Sequence, residues 1–119
     1  MKQMKVGLAG SKIWNNPRPI QNALSGIVTS KLVVLSGPEG AGKFLRQYTL
    51  RHAKLSKTKC TYLELDKDID GVDAYAKVFK ELATTCDLIL IFKSQHSKVE
   101  TMLVDQCKRE EKPYILFEI

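Results

Sequence analysis

The runs Val33 to Leu35 and Leu88 to Phe92 contain no polar side chain at any position. A strand that is apolar on both of its faces has to be covered on both, which is the situation of strands in a parallel sheet with helices on each side. Five such strand-length runs, at about Lys5 to Ala9, Lys31 to Ser36, Cys60 to Leu65, Leu88 to Phe92 and Tyr114 to Glu118, alternate with four amphipathic runs. The amphipathic runs fall at about Pro19 to Gly26, Lys43 to Leu55, Val72 to Thr84 and Lys98 to Glu111. Helical spacing gathers Tyr75, Val78, Phe79 and Leu82 on one face of the third, and Val99, Met102, Leu103 and Cys107 on one face of the fourth. Pro19 suits a first helical turn, and Pro113 ends the last helix just before the final strand. The alternation predicts an α/β three-layer sandwich built on a five-stranded, mainly parallel sheet.

With 119 residues the chain has the size of one domain, covering residues 1–119, and folding it hides roughly two-thirds of the unfolded surface. Hydrophobic residues make up 44% and charged residues 27%, the balance of a globular protein. No apolar run approaches the ~20 residues of a membrane helix, and the first ten residues lack a signal-peptide core. The expected location is therefore cytoplasmic, with no membrane partner. Cys60, Cys86 and Cys107 are odd in number and far apart, so they read as buried reduced thiols, not as a disulfide framework or a zinc site. A formal charge of +6 favours anionic partners without choosing among them.

Three loops after predicted strands hold the residues suited to ligand chemistry. In the second, Ser36, Gly37, Pro38, Glu39, Gly40, Ala41, Gly42 and Lys43 lie between a buried strand and a helix. Glycines let a backbone approach an anion, the helix start presents unpaired N–H groups, and Lys43 adds a mobile cation. The alternative is a turn that uses glycine only to bring helix against sheet. Gly37 to Lys43 fits seven positions of a Walker A loop, but Phe44 occupies the eighth, where Ser or Thr would hold magnesium, so nucleotide hydrolysis is not expected. The first loop offers Gly10, Ser11 and Lys12, with Trp14 either presenting a face to a base or packing in the core. The third offers Ser94, Ser97 and Lys98; Ser97 with Glu100 also fits a capping box. His52 and His96 have no evident catalytic partner. No catalytic residue and no metal ligand is expected.

The ordered set of VGLAGSK, VVLSGPEGAGK, CDLILIF and SKVETMLVDQCKREEKPYILF resembles the SLOG superfamily of Rossmann-like nucleotide-ligand binders over almost the whole chain, in particular its small bacterial and phage single-domain branch. Gly10, Ser11 and Lys12 match the first loop of that branch, and Gly37, Gly40 and Ala41 the second. Ser94, Ser97 and Lys98 fall in the third, and Lys112 with Pro113 matches the closing turn. Gly42 and Lys43 replace an alanine-aspartate pair, and Val99 and Glu100 replace glycine and threonine. The PGGxGTxxE loop of the phosphoribohydrolase branch, with its catalytic Glu, is missing. The resemblance implies binding or sensing of NAD-derived or ADP-ribose-like molecules, whereas the residues alone support only a phosphate-bearing ligand; taken together they lead to the expectation of a nucleotide-like, phosphate-bearing small molecule. The alternatives are single-stranded nucleic acid, with which the lysines Lys54, Lys57 and Lys59 are compatible, and a degenerate P-loop or nucleosidase-type enzyme. A homodimer is allowed. A strand order of 3-2-1-4-5 would open a crevice between the first and fourth strands, lined by the Gly10 to Trp14 and Ser94 to Lys98 loops.

Overall fold

The structure is a computed structural model and describes residues 4–26, 31–56, 58–69 and 71–118. The elements run β1 (Lys5–Gly10), α1 (Pro17–Ser25), β2 (Lys31–Leu35), α2 (Gly40–Ser56), β3 (Lys59–Leu63), α3 (Gly71–Thr85), β4 (Leu88–Lys93), α4 (Val99–Arg109) and β5 (Tyr114–Glu118). All five strands join one sheet in the order β3-β2-β1-β4-β5, and every neighbouring pair is parallel. The sheet is thus wholly parallel, and the α/β three-layer, Rossmann-like architecture is present. Among the described residues, no helix is long and apolar enough to cross a membrane.

The chain moves from β1 through β2 to β3 in one direction and from β3 through β4 to β5 in the other. Right-handed crossovers then put α1 and α2 on one face of the sheet and α3 and α4 on the opposite face. Two cores follow. Val6, Leu8, Leu32, Val34, Leu90 and Phe92 pack toward Ile20, Leu24, Ala41 and Leu45 of the first helix pair. Ala9, Val33, Leu35, Ile89 and Ile91 pack toward Val78, Phe79, Leu82, Leu103 and Cys107 of the second. The strict alternation of strand residues between the two sets is the pleat of a doubly covered strand.

Helix starts differ from the sequence expectation by up to three residues. Helix α1 begins at Pro17 because the Asn16 side chain accepts from Arg18 N–H at 3.1 Å, a cap just ahead of the proline. Helix α2 begins at Gly40, three residues before Lys43, because Gly40 has φ of +65° and Ala41 N–H donates to the Ser11 carbonyl at 2.9 Å. At α4 the expected capping box does not form: Lys98 is the cap residue, without a side-chain cap bond, and the Ser97 hydroxyl donates to the Glu100 carboxylate instead.

Candidate functional site

The C-terminal ends of β1, β2 and β3 frame a cleft of about 570 Å³. Its floor is Gly10, Leu35 and Ser36 at the strand ends, and one wall is the Gly37–Pro38–Glu39 turn with Gly42 of α2. The opposite wall is Glu64, Leu65 and Lys67 after β3 with Tyr75 of α3, and Lys12 and Arg46 complete the rim. Ser36 is fixed by its N–H donating to the Leu63 carbonyl at 2.8 Å. The Arg46 guanidinium donates to Ser36 Oγ at 3.3 Å, lies 3.8 Å from Glu64 and sits 5.4 Å from the Tyr62 ring centroid. Arg46 is therefore held over the β2–β3 edge while remaining half exposed, whereas Lys12 and Lys67 extend from loops. Leu35, Leu65, Pro38 and Tyr75 give the same space an apolar side, and Tyr75 is braced by Phe79 with ring centroids 5.6 Å apart.

Seven of the residues expected from the sequence line this cleft: Gly10, Lys12, Ser36, Gly37, Pro38, Glu39 and Gly42. The others lie elsewhere. Trp14, only 1% exposed, presents no face to a ligand. It meets Phe92 edge-on at 5.7 Å and its indole N–H donates to the Asn16 carbonyl, so it is core. Lys43 points to solvent on α2 and is not part of the lining; Arg46, one turn further on, takes the rim position. Gly40 and Ala41 pack against the first loop. A Cβ on Gly40 would collide with the Lys12 carbonyl, and one on Gly10 would come within 2.5 Å of Ala41 Cβ. A Cβ on Gly42 would likewise come within 2.8 Å of the Gly37 backbone N. These three glycines bring helix against sheet, the alternative weighed for this loop, and Gly37 differs: a Cβ there would meet nothing closer than 3.9 Å.

The crevice expected between β1 and β4 is filled by hydrogen bonds. Ser11 is fully buried; its N–H donates to Phe92 O at 2.9 Å, and its carbonyl accepts from Trp14 and Ala41 N–H at 3.2 and 2.9 Å. Its hydroxyl accepts from Ser94 N–H at 3.0 Å and donates to Glu100. Ser94 is buried, and Ser97 shares the Glu100 carboxylate with Ser11. The Ser11 and Ser97 hydroxyls and the Ser94 backbone thus bond within this cluster of loops, and Lys98 is exposed beside them. Glu100 itself, 3% exposed, was read from the sequence only as a helix-start residue; its partner Ser11 is 89 positions away, and no local signal points to it.

His96 is exposed beside Gln95, outside the cleft lining. Asp66 accepts from Asp68 N–H and from Lys77 Nζ, both at 3.0 Å, and these two donors, the backbone first, hold its carboxyl below the usual carboxylate range. Asp70 and Lys57 lie outside the described residues. Among the described residues no three His, Cys, Asp or Glu side chains are grouped so as to hold a metal ion. No protein-family model, curated protein or solved structure matches the chain.

Proposed function

We propose that the protein binds a nucleotide-like, phosphate-bearing small molecule in the cleft over β1, β2 and β3. The observation that carries this reading is the pairing, within one space of about 570 Å³, of three cations, which outnumber the carboxylates of Glu39 and Glu64, with an apolar wall. Lys12, Arg46 and Lys67 suit phosphate oxygens, and Tyr75 with Leu35, Leu65 and Pro38 suits a base or ribose face. The start of α2, whose Gly42 lines the cleft, adds the positive end of the helix dipole on the same side. The resemblance to SLOG-type binders narrows the ligand to NAD-derived or ADP-ribose-like molecules.

Gly37 supplies the test. Its substitution finds open space, so Gly37→Leu obstructs the cleft without straining the fold, whereas Gly40→Leu would force a bulky residue into a positive-φ site against the Lys12 backbone. Calorimetric titration of ADP-ribose, NAD and ADP into the wild type is expected to give binding that Gly37→Leu abolishes. Lys12→Ala should weaken it by about 1.5–3 kcal/mol, as for a charge-assisted hydrogen bond. Equal affinities of wild type and Gly37→Leu would remove the ligand from this cleft, and tight binding of single-stranded DNA with a steep salt dependence would favour nucleic acid instead.

A further inference from the structure

The two edges of the sheet are finished differently. On β3 the exposed positions are Lys59 and Thr61, a cation and a hydroxyl of the kind that discourage strand addition. On β5 they include Ile115 and Leu116, 47% and 40% exposed, on opposite faces of the strand. Helix α4 packs on β4, and among the described residues no strand pairs with the outer edge of β5.

The backbone of that edge can be assigned. Ile89 N–H donates to the Pro113 carbonyl at 3.2 Å, which directs Pro113 toward β4. In a parallel ladder alternate residues bond to the same neighbour, so Ile115 and Phe117 also face β4, and Tyr114, Leu116 and Glu118 direct their N–H and C=O groups outward. These three outward residues form a row of up to six backbone groups that no strand among the described residues pairs with. We infer that this row pairs antiparallel with the β5 of a second copy of the chain, about a twofold axis at Leu116, to give a continuous ten-stranded sheet.

The sequence of β5 is complementary to itself in that register. Leu116 meets Leu116 of the other copy on the α3–α4 face, and Tyr114 meets Glu118. Ile115 meets Phe117 on the other face as a closely spaced, non-hydrogen-bonded pair, and Phe117 is already stacked on Phe92 at 4.8 Å. Each exposed apolar side chain of the strand thereby gains an apolar mate. Glu118, diagonal to Lys112 of the second copy, gains a cation besides its own Lys93 at 3.5 Å, and no like charges are opposed. Closed twofold pairing also uses up both β5 edges, so growth stops at two.

Proline separates this pairing from damage to the fold. Leu116→Pro removes an outward N–H and leaves the bonds to β4 intact, a position where an edge strand accepts proline; Ile115→Pro removes an inward N–H and should destabilise the monomer. Analytical ultracentrifugation of the wild type is expected to give twice 13.4 kDa, and Leu116→Pro to give 13.4 kDa with an unchanged circular dichroism spectrum. Leu116→Cys should form an intermolecular disulfide on oxidation, because hydrogen-bonded antiparallel partners stand about 5.5 Å apart at Cα, within disulfide reach. For the wild type alone, the amides of Tyr114, Leu116 and Glu118 should be protected from hydrogen exchange at high concentration and lose protection on dilution. A mass of 13.4 kDa up to millimolar concentration, or a dimer that Leu116→Pro leaves intact, would overturn the inference.

Discussion

Ser11 and Glu100 illustrate how much of this molecule rests on single polar side chains. The Glu100 carboxylate accepts from the hydroxyls of Ser11 and Ser97, and Ser11 in turn binds the ends of β4 and α2. Taking away the carboxylate leaves the buried Ser11 hydroxyl without an acceptor, at about 1–3 kcal/mol for one unsatisfied group, and removes a bond from the part-buried Ser97 hydroxyl. Glu100→Ala is therefore expected to lower the thermal midpoint substantially, and Glu100→Gln, which keeps a carbonyl oxygen at the same reach, to lower it less. Equal melting of the two variants would show that the oxygen is not what matters. Local reading assigns Glu100 a helix-start role and Ser11 a ligand role, because both residue types commonly serve in those ways. Their true partners come from segments that meet only once β1 and β4 are neighbours.

At the level of elements, the strands and their order were legible because unbroken apolar runs and alternating helices leave few topologies. That the Ser36 to Lys43 loop borders a cleft was legible for the same reason, since it leaves a buried strand at the C-terminal edge, although Gly40, Ala41 and Lys43 do not line that cleft. The division of labour among its glycines was not legible: composition cannot separate Gly37, which borders open space, from Gly40, which borders the Lys12 backbone. The far wall of the cleft was also missed, because Glu64, Leu65 and Lys67 follow β3 while Tyr75 belongs to α3, and only the folded chain brings them to one space. Phe44 stacks on Tyr48 at 6.3 Å, and its ring offers no oxygen to a metal–nucleotide complex. Incubation with ATP or GTP and magnesium is thus expected to release no phosphate above background. Release that Lys43→Ala abolishes would establish a working P-loop after all.

For the molecule as a whole, the thiols set a limit on the alkaline side. Cys86 and Cys107 lie in the core between α3, α4 and the sheet, and burial raises both. Cys107 is pushed up from 9.0 to about 11, by desolvation first and by the neighbouring Cys86 second. Cys60 and Tyr62 near the β3 edge are raised in the same direction, again chiefly by burial. A folded-state value above the unfolded one means that the unfolded chain gives up its proton first. The associated stability is then fully present below pH 9.0 and is lost progressively as pH rises toward about 11. On the acid side Asp66 has the opposite sign: its depressed value contributes stability that disappears as pH falls through the carboxylate range. Urea denaturation midpoints should accordingly be level between pH 7 and 8.5 and fall between pH 9 and 11. Cys107→Ala starts lower, because it leaves a small void in a packed core, but it has no thiol at that position to ionise. The gap between wild type and Cys107→Ala should therefore be constant up to about pH 8.5 and narrow above pH 9. A gap that stays constant through pH 11 would mean that Cys107 ionises as readily in the folded protein as in the unfolded chain, and that its burial has no electrostatic consequence.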